Sequence, residues 1–160
     1  MLRLFATSFD LGVVLGAPFP VRLQPNRVRR RGSGREPDIL FIARDHLDRI
    51  RDNYLDGPAD LAVEIVSPSG RHRDGVEKYA EYEAAGVREY WMIDPDRQRP
   101  EFHRLDARGR YQLVPLEDGG IFRSEVVRGF WLRVDWLWQD PLPEIEALRA
   151  LAVLPSAREG

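Results

Sequence analysis

At 160 residues, with 43% hydrophobic and 31% charged side chains, the chain has the make-up of one globular domain with a single core, which excludes a disordered or fibrous protein. The net charge of −2 marks no nucleic-acid binder at whole-chain level, so any electrostatic case for one must be local. The absence of cysteine excludes disulfides and thiolate metal sites, and no apolar run approaches the roughly 20 residues that span a bilayer, so no membrane partner is expected and a cytoplasmic location fits.

In chain order, residues 2–9 can form the stub of a helix. Leu11 to Ala17 has the apolarity of a short signal-peptide core, but Asp10 precedes it and no small-x-small cleavage site follows, so it reads as structure. Gly12 to Leu23 is expected to be extended, with Pro18 and Pro20 restricting it to an edge or bulged strand. Asn26 to Glu36 reads as a polar loop carrying Arg27, Arg29, Arg30, Arg31 and Arg35. Pro37-Asp38 then opens the apolar run Ile39 to Ile42, a buried-strand signal. Asp45 to Tyr54 predicts a short helix with Leu47 and Ile50 inward. Leu61 to Ser67 is apolar on both alternating faces, which predicts an interior strand stopped by Pro68, Ser69 and Gly70.

From Asp74 to Ala85 the positions Val76, Tyr79, Ala80 and Ala84 follow helical spacing, and Gly86 supplies the stop. Glu89 to Ile93 is a second β run, broken by Asp94-Pro95-Asp96. Antiparallel strands are expected at Glu101 to Leu105, at Tyr111 to Leu116 and near Trp131 to Val134, with turns at Gly109 and Gly119-Gly120. A short amphipathic helix, Leu142 to Leu151, closes a single domain over residues 1–160. The order strand, strand, helix, strand predicts an α/β fold in which a crossover helix serves a mixed sheet.

Glu64 is the sharpest chemical feature, because it stands mid-strand between Val63 and Ile65 with no polar face to hide on. Burying an unpaired carboxylate costs several kcal/mol, roughly, so it must be paired, protonated or metal-bound. An internal Glu–Arg ion pair would satisfy it as well as a metal would. Asp38 heads the neighbouring apolar strand; alone it is turn chemistry after a proline. Two acids near one level of adjacent strands repel, however, and a hard divalent cation such as Mg²⁺ removes that repulsion. Of 24 cationic side chains, 23 are arginine and one is lysine, Lys78, fourteen positions after Glu64 on the helix that leaves its strand. Asp74, Lys78 and Tyr82 share a helix face, so Lys78 pairs with Asp74 at the surface or places its ammonium over the acids.

The run Pro37-Asp38-Ile39, Leu61 to Ser69, Asp74, Lys78-Tyr79, Tyr82, Gly86 to Trp91 and Ile93-Asp94-Pro95 resembles the Uma-two family of the PD-(D/E)XK nuclease superfamily. The resemblance covers roughly Gly12 to Trp136. It implies a restriction-endonuclease-like core, a central mixed β-sheet flanked by helices, and Mg²⁺-dependent phosphodiester cleavage, with Mn²⁺ able to substitute. By the same resemblance Asp38, Glu64 and the carbonyl of Ile65 would hold the metal, and Asp38, Glu64 and Lys78 would be catalytic. Val66 stands where the superfamily has its lysine, which this family moves to Lys78. Relatives have a longer first helix that contributes a glutamate, and residues 1–11 contain none. Either the natural start lies upstream or this copy lacks part of the site.

The expected function is therefore an endonuclease with nucleic acid, DNA foremost, as partner. The alternative is a catalytically impaired nucleic-acid-binding or assembly protein on the same fold. The arginines between Arg27 and Arg35 would bind phosphates, unless they form only a solvated loop. His46, His72 and His103 show no metal-ligand spacing, and Trp131, Trp136 and Trp138 read as core and rim packing or a dimer contact rather than a base-stacking platform. The exposed edge of so small a sheet allows a homodimer.

Overall fold

The computed structural model describes residues 1–23, 34–66 and 73–155. Helix α1 (Leu2–Ser8) leads into strand β1 (Gly12–Gly16). A Cβ on Gly12 would fall 2.1 Å from the carbonyl oxygen of Ile42, so only glycine lets the two chains approach this closely. Next come the short strands β2 (Val21–Arg22) and β3 (Gly34–Arg35), then β4 (Ile39–Ala43). A 3-10 helix over Arg44–Arg49 is followed by β5 (Leu55–Asp56) and β6 (Leu61–Ile65). Helix α2 (Arg73–Ala85) then precedes β7 (Glu89–Asp94), β8 (Arg99–Leu105), β9 (Tyr111–Leu113), β10 (Ile121–Arg123) and β11 (Trp131–Arg133). A second 3-10 helix, Val134–Trp138, and α3 (Glu144–Ala150) complete the order.

The main sheet has the order β1-β4-β6-β7-β8-β9. Only its β6–β7 pair is parallel, and α2 is the crossover that a parallel connection requires. Two smaller sheets, β3-β2-β5 and β10-β11, stand beside it. This is the mixed α/β architecture the sequence predicts.

Alternation along the central strands divides the core. Phe41, Leu61, Val63, Trp91 and Phe102 pack on one face with α1, α3 and the β10–β11 ribbon. Leu40, Ile42, Ala62 and Tyr90 pack on the other with Tyr82 of α2 and with Val21 and Leu55 of the small sheet. Trp136 is fully buried and Trp131 and Trp138 lie partly buried against the first cluster, which is the packing role expected of them.

Three local expectations need correction. The segment Asp45 to Tyr54 forms a 3-10 helix that stops at Arg49, because Ile50 is drawn into a β-bridge with Leu55 and leaves no room for an α-helix. Gly34 and Arg35, read as loop, form β3 against β2. On α2 the inward positions are Lys78, Tyr79 and Tyr82, while Val76 is 68% exposed and Ala80 and Ala84 face solvent. Alanine fits either face of a helix, so it gave the wrong phase. No helix among the described residues is long and apolar enough to cross a membrane.

Candidate active site

Backbone register brings the two acids together. Ile39 pairs with Val63 in the antiparallel β4–β6 ladder, so one step further Asp38 stands across from Glu64. Directly opposed residues project to the same face, with Cβ atoms about 5 Å apart. Glu64 lies on the α2 face with Ala62 and is 6% exposed. The strand order that puts β4 and β6 side by side thus gathers residues 26 positions apart.

Asp38 is fixed at the end of that ladder. Its Oδ2 accepts the Ile65 N–H at 2.6 Å, and its own carbonyl accepts the Ala17 N–H at 3.2 Å from the β1 side. Along β6, the Val66 amide faces β7 and donates to the Ile93 carbonyl, whereas the Ile65 amide faces β4. The same register sets Ile65 opposite Pro37. Proline has no N–H, so β4 supplies no ladder donor to the Ile65 carbonyl at that rung.

Helix α2 covers Glu64 with two donors one turn apart. The Lys78 ammonium donates to Glu64 Oε2 at 2.8 Å, and the Tyr82 hydroxyl donates to Oε1 at 2.8 Å. Gly86 ends the helix at φ +86°, where its N–H and that of Val87 satisfy the Tyr82 carbonyl. Burial pushes the Glu64 carboxyl above its ordinary value, Lys78 and Tyr82 pull it back, and Asp38 adds to the rise. Burial and the Glu64 charge hold Tyr82 far above the usual phenol range, so it keeps the proton that it donates to Glu64.

These donors suit a small hard cation. Glu64 has one hydrogen bond on each oxygen and keeps a lone pair on each, and Asp38 Oδ1 has no protein partner among the described residues. With the Ile65 carbonyl they make a set of oxygens in which two are carboxylates. Among the described residues no group of three or more Asp, Glu, His or Cys could hold a metal. Two carboxylates are nonetheless the complement with which Mg²⁺ is commonly held, water and substrate phosphate filling the remaining positions.

Neither acid is held by an arginine among the described residues, although an internal Glu–Arg pair was open from the sequence. Lys78 meets Glu64 across fourteen residues; the side chain of Asp74, the surface partner considered for it, lies outside what is described. Of the arginines expected to bind phosphate, Arg27, Arg29, Arg30 and Arg31 lie outside the described residues. Arg35 stands opposite Val21, which is fully buried, and so turns inward to Glu81 at 2.6 Å and Glu77 at 3.7 Å on α2. Its charge is thereby committed to holding the small sheet on the helix. His46 Nδ1 donates to the Asp60 carboxylate at 2.9 Å, His103 contacts Glu101 at 3.3 Å, and His72 is not described.

Sequence reasoning placed Tyr82 on the Lys78 face but gave it no role; the i, i+4 spacing to the lysine was the available signal. It missed a further neighbour altogether. Met92 pairs with Glu64 and Glu101 pairs with Met92, so Asp38, Glu64, Met92 and Glu101 form one row across four strands. Nothing in the sequence gives the β7–β8 register that creates it.

The main sheet is mixed with one helical crossover, and Asp38 and Glu64 lie at adjoining ends of β4 and β6. A crystal structure described as a putative nuclease belonging to DUF820 from Anabaena variabilis ATCC 29413 superposes with a TM-score of 0.65 at 14% identity. The match covers 86% of this chain and 75% of that one, a likeness of fold. The chain belongs to the Uma2 family, described as putative restriction endonucleases, whose family model matches residues 1–135. No curated protein matches the sequence.

Proposed function

We propose that this chain is a divalent-metal-dependent endonuclease that hydrolyses phosphodiester bonds, with DNA as the substrate. The observation that carries the reading is the meeting of Asp38 and Glu64 on one face, with Lys78 bound to Glu64. Family membership and fold support it. Asp38, Glu64 and the Ile65 carbonyl would hold Mg²⁺, or Mn²⁺ in its place. A cation so held supplies Lewis-acid stabilisation of the charge that builds on the scissile phosphate and lowers the pKa of water.

The residues divide the remaining work. Asp38, pinned by the Ile65 amide, presents its second oxygen in a fixed direction. Tyr82 holds the Glu64 carboxylate against rotation. Lys78, bound to Glu64, would bring ammonium charge to the phosphate oxygens and stabilise the five-coordinate transition state.

Cleavage of DNA in Mg²⁺ or Mn²⁺, abolished by EDTA, is the expected result. Asp38→Ala should lose both cleavage and the rise in melting temperature that the metal gives, whereas Lys78→Ala should keep that rise and lose rate by about a hundredfold. A second reading, a nucleic-acid-binding or assembly protein without turnover, is favoured by the presence of only two carboxylates at this point among the described residues. It requires salt-sensitive binding that Asp38→Ala leaves unchanged.

A further inference from the structure

A cleft of about 340 Å³ opens on the small sheet β3-β2-β5, lined by Pro20, Val21, Arg22, Gly34, Asn53 and Tyr54. Strand alternation builds it. Val21 is buried, so Arg22 projects outward, and Gly34 stands across the ladder from it. A Cβ on Gly34 would meet none of the described residues within 4 Å, so nothing among them fills the space beside Arg22. The Arg22 guanidinium lies 4.1 Å from the centroid of the Tyr54 ring, and its Nη1 donates to the Tyr54 hydroxyl at 3.3 Å. One planar cation is thus held against an aromatic ring before any ligand arrives.

The charge of Arg22 is not spent elsewhere. Arg35 on the adjoining strand is taken by Glu81, and Arg97 and Arg99 in a smaller cleft sit 3.9 Å from Asp94 and 3.1 Å from Glu101. Arg22 has no carboxylate partner among the described residues. Guanidinium planes and aromatic rings stack on nucleobases, and the guanidinium edge binds phosphate. The volume lies at the lower end of small-ligand pockets and suits one nucleotide unit.

The cleft is also close to the acids along the chain. Gly34 and Asp38 are four residues apart, so their Cα atoms are separated by at most about 14 Å. That span is about four nucleotides of duplex rise, and fewer of an extended strand.

We propose that the cleft at Arg22 and Tyr54 is a subsite for one nucleotide of the polynucleotide substrate, upstream or downstream of the bond cut at Asp38 and Glu64. The nucleotide's phosphate sits on the free N–H edge of Arg22, and its base packs on the guanidinium–Tyr54 stack. The subsite rests on the nuclease reading in one respect, that a polynucleotide is the substrate.

The test is fluorescence anisotropy of a short labelled single-stranded DNA in EDTA, where binding is read without cleavage, between about 50 and 200 mM salt. Arg22→Ala should weaken binding about tenfold and lower the slope of log affinity against log salt by roughly 0.7. Tyr54→Leu should weaken it about tenfold with the slope unchanged, and Tyr54→Phe should bind as the parent does. Melting temperatures of the three variants are measured alongside, and the exposed Arg22 side chain makes Arg22→Ala the variant that keeps the fold. If the parent protein binds DNA but Arg22→Ala and Tyr54→Leu bind equally well, the subsite is overturned and the nuclease reading stands. If the parent binds no DNA at all in EDTA, the subsite is overturned, and cleavage in Mg²⁺ decides the nuclease reading separately.

Discussion

Glu64 accepts hydrogen bonds from an ammonium and from a phenol at the same distance of 2.8 Å, yet the two donors differ in what they leave behind when removed. Tyr82→Phe keeps the ring among Leu40, Ile42 and Tyr90 and deletes only the hydroxyl. A hydrogen bond to a charged group contributes about 1.5–3 kcal/mol, so urea unfolding of the variant should show a loss of that size. With one donor gone the carboxylate turns more freely, and cleavage should fall along with the metal-dependent rise in melting temperature. An unchanged rate would show that Lys78 alone positions Glu64. The sequence made Glu64 conspicuous because a carboxylate on a two-sided apolar strand demands a partner. It could not say which partner, since 23 arginines competed with one lysine for the place.

His103 illustrates a different residue-scale effect. It is buried between Tyr79 and Tyr90, and its Nδ1 has no hydrogen-bond partner among the described residues. Burial holds the imidazole below its ordinary value, with the Glu101 contact pulling the other way. The folded value is thus depressed relative to the unfolded chain. Stability from the neutral ring is full above about pH 6.5 and is lost as the pH falls through the folded value, because the unfolded chain binds the proton first. His103→Phe preserves the stacking and removes the titration. Equilibrium unfolding at about pH 7.5 and about pH 5 should show a larger drop for the parent than for His103→Phe; equal drops would sink the assignment.

At the scale of elements, α2 shows how an apolar stripe misleads. Val76, Ala80 and Ala84 have helical spacing but face water, while the inward positions include a lysine and two tyrosines that hydropathy scores as polar or neutral. The buried face is therefore set by what the sheet needs, two donors over Glu64 and an aromatic layer over β7. Val76→Glu should change stability by less than about 0.5 kcal/mol in chemical denaturation, as befits an exposed position. A loss of several times that would mean the exposed face is covered in solution. The long strands β4, β6 and β7 were legible because five or six residues suffice to show burial on one or both faces. Strands β5 and β10 have two and three residues, too few for any alternation to register. The direction of Arg35 was illegible for the same reason: β3 is two residues long, and its inward turn follows only from the pairing with Val21.

For the whole molecule, the mixed sheet and its crossover were readable from the order of strands and helix, because a parallel neighbour needs a long connection and α2 is the one segment that supplies it. The rest of the assembly depends on a buried carboxylate that sequence alone presented as merely the start of a strand. Glu89, fully buried on β7, accepts from Ser124 Oγ at 2.8 Å and from the Glu125 N–H at 2.6 Å. It also accepts from Arg104 of β8 and from the Trp91 indole, each at 3.3 Å. It ties the main sheet to the chain just after β10. Glu89→Ala would take the shared acceptor from Arg104 and three further donors, and should cost about 3–5 kcal/mol in urea unfolding. Recovery of that loss by Glu89→Gln, which keeps the shape and two acceptor lone pairs but not the charge, should be only partial. Full recovery would show that the arginine contributes nothing.

The rung where Pro37 faces Ile65 sets two demands against each other. Any other amino acid at position 37 brings a hydrogen on its backbone nitrogen, and the two strands can then zip shut by one more bond. The molecule would gain pairing and close over an oxygen that the proposed chemistry needs exposed. Sturdiness and use thus compete for a single atom at that corner, and a protein selected only to endure would not keep a proline there.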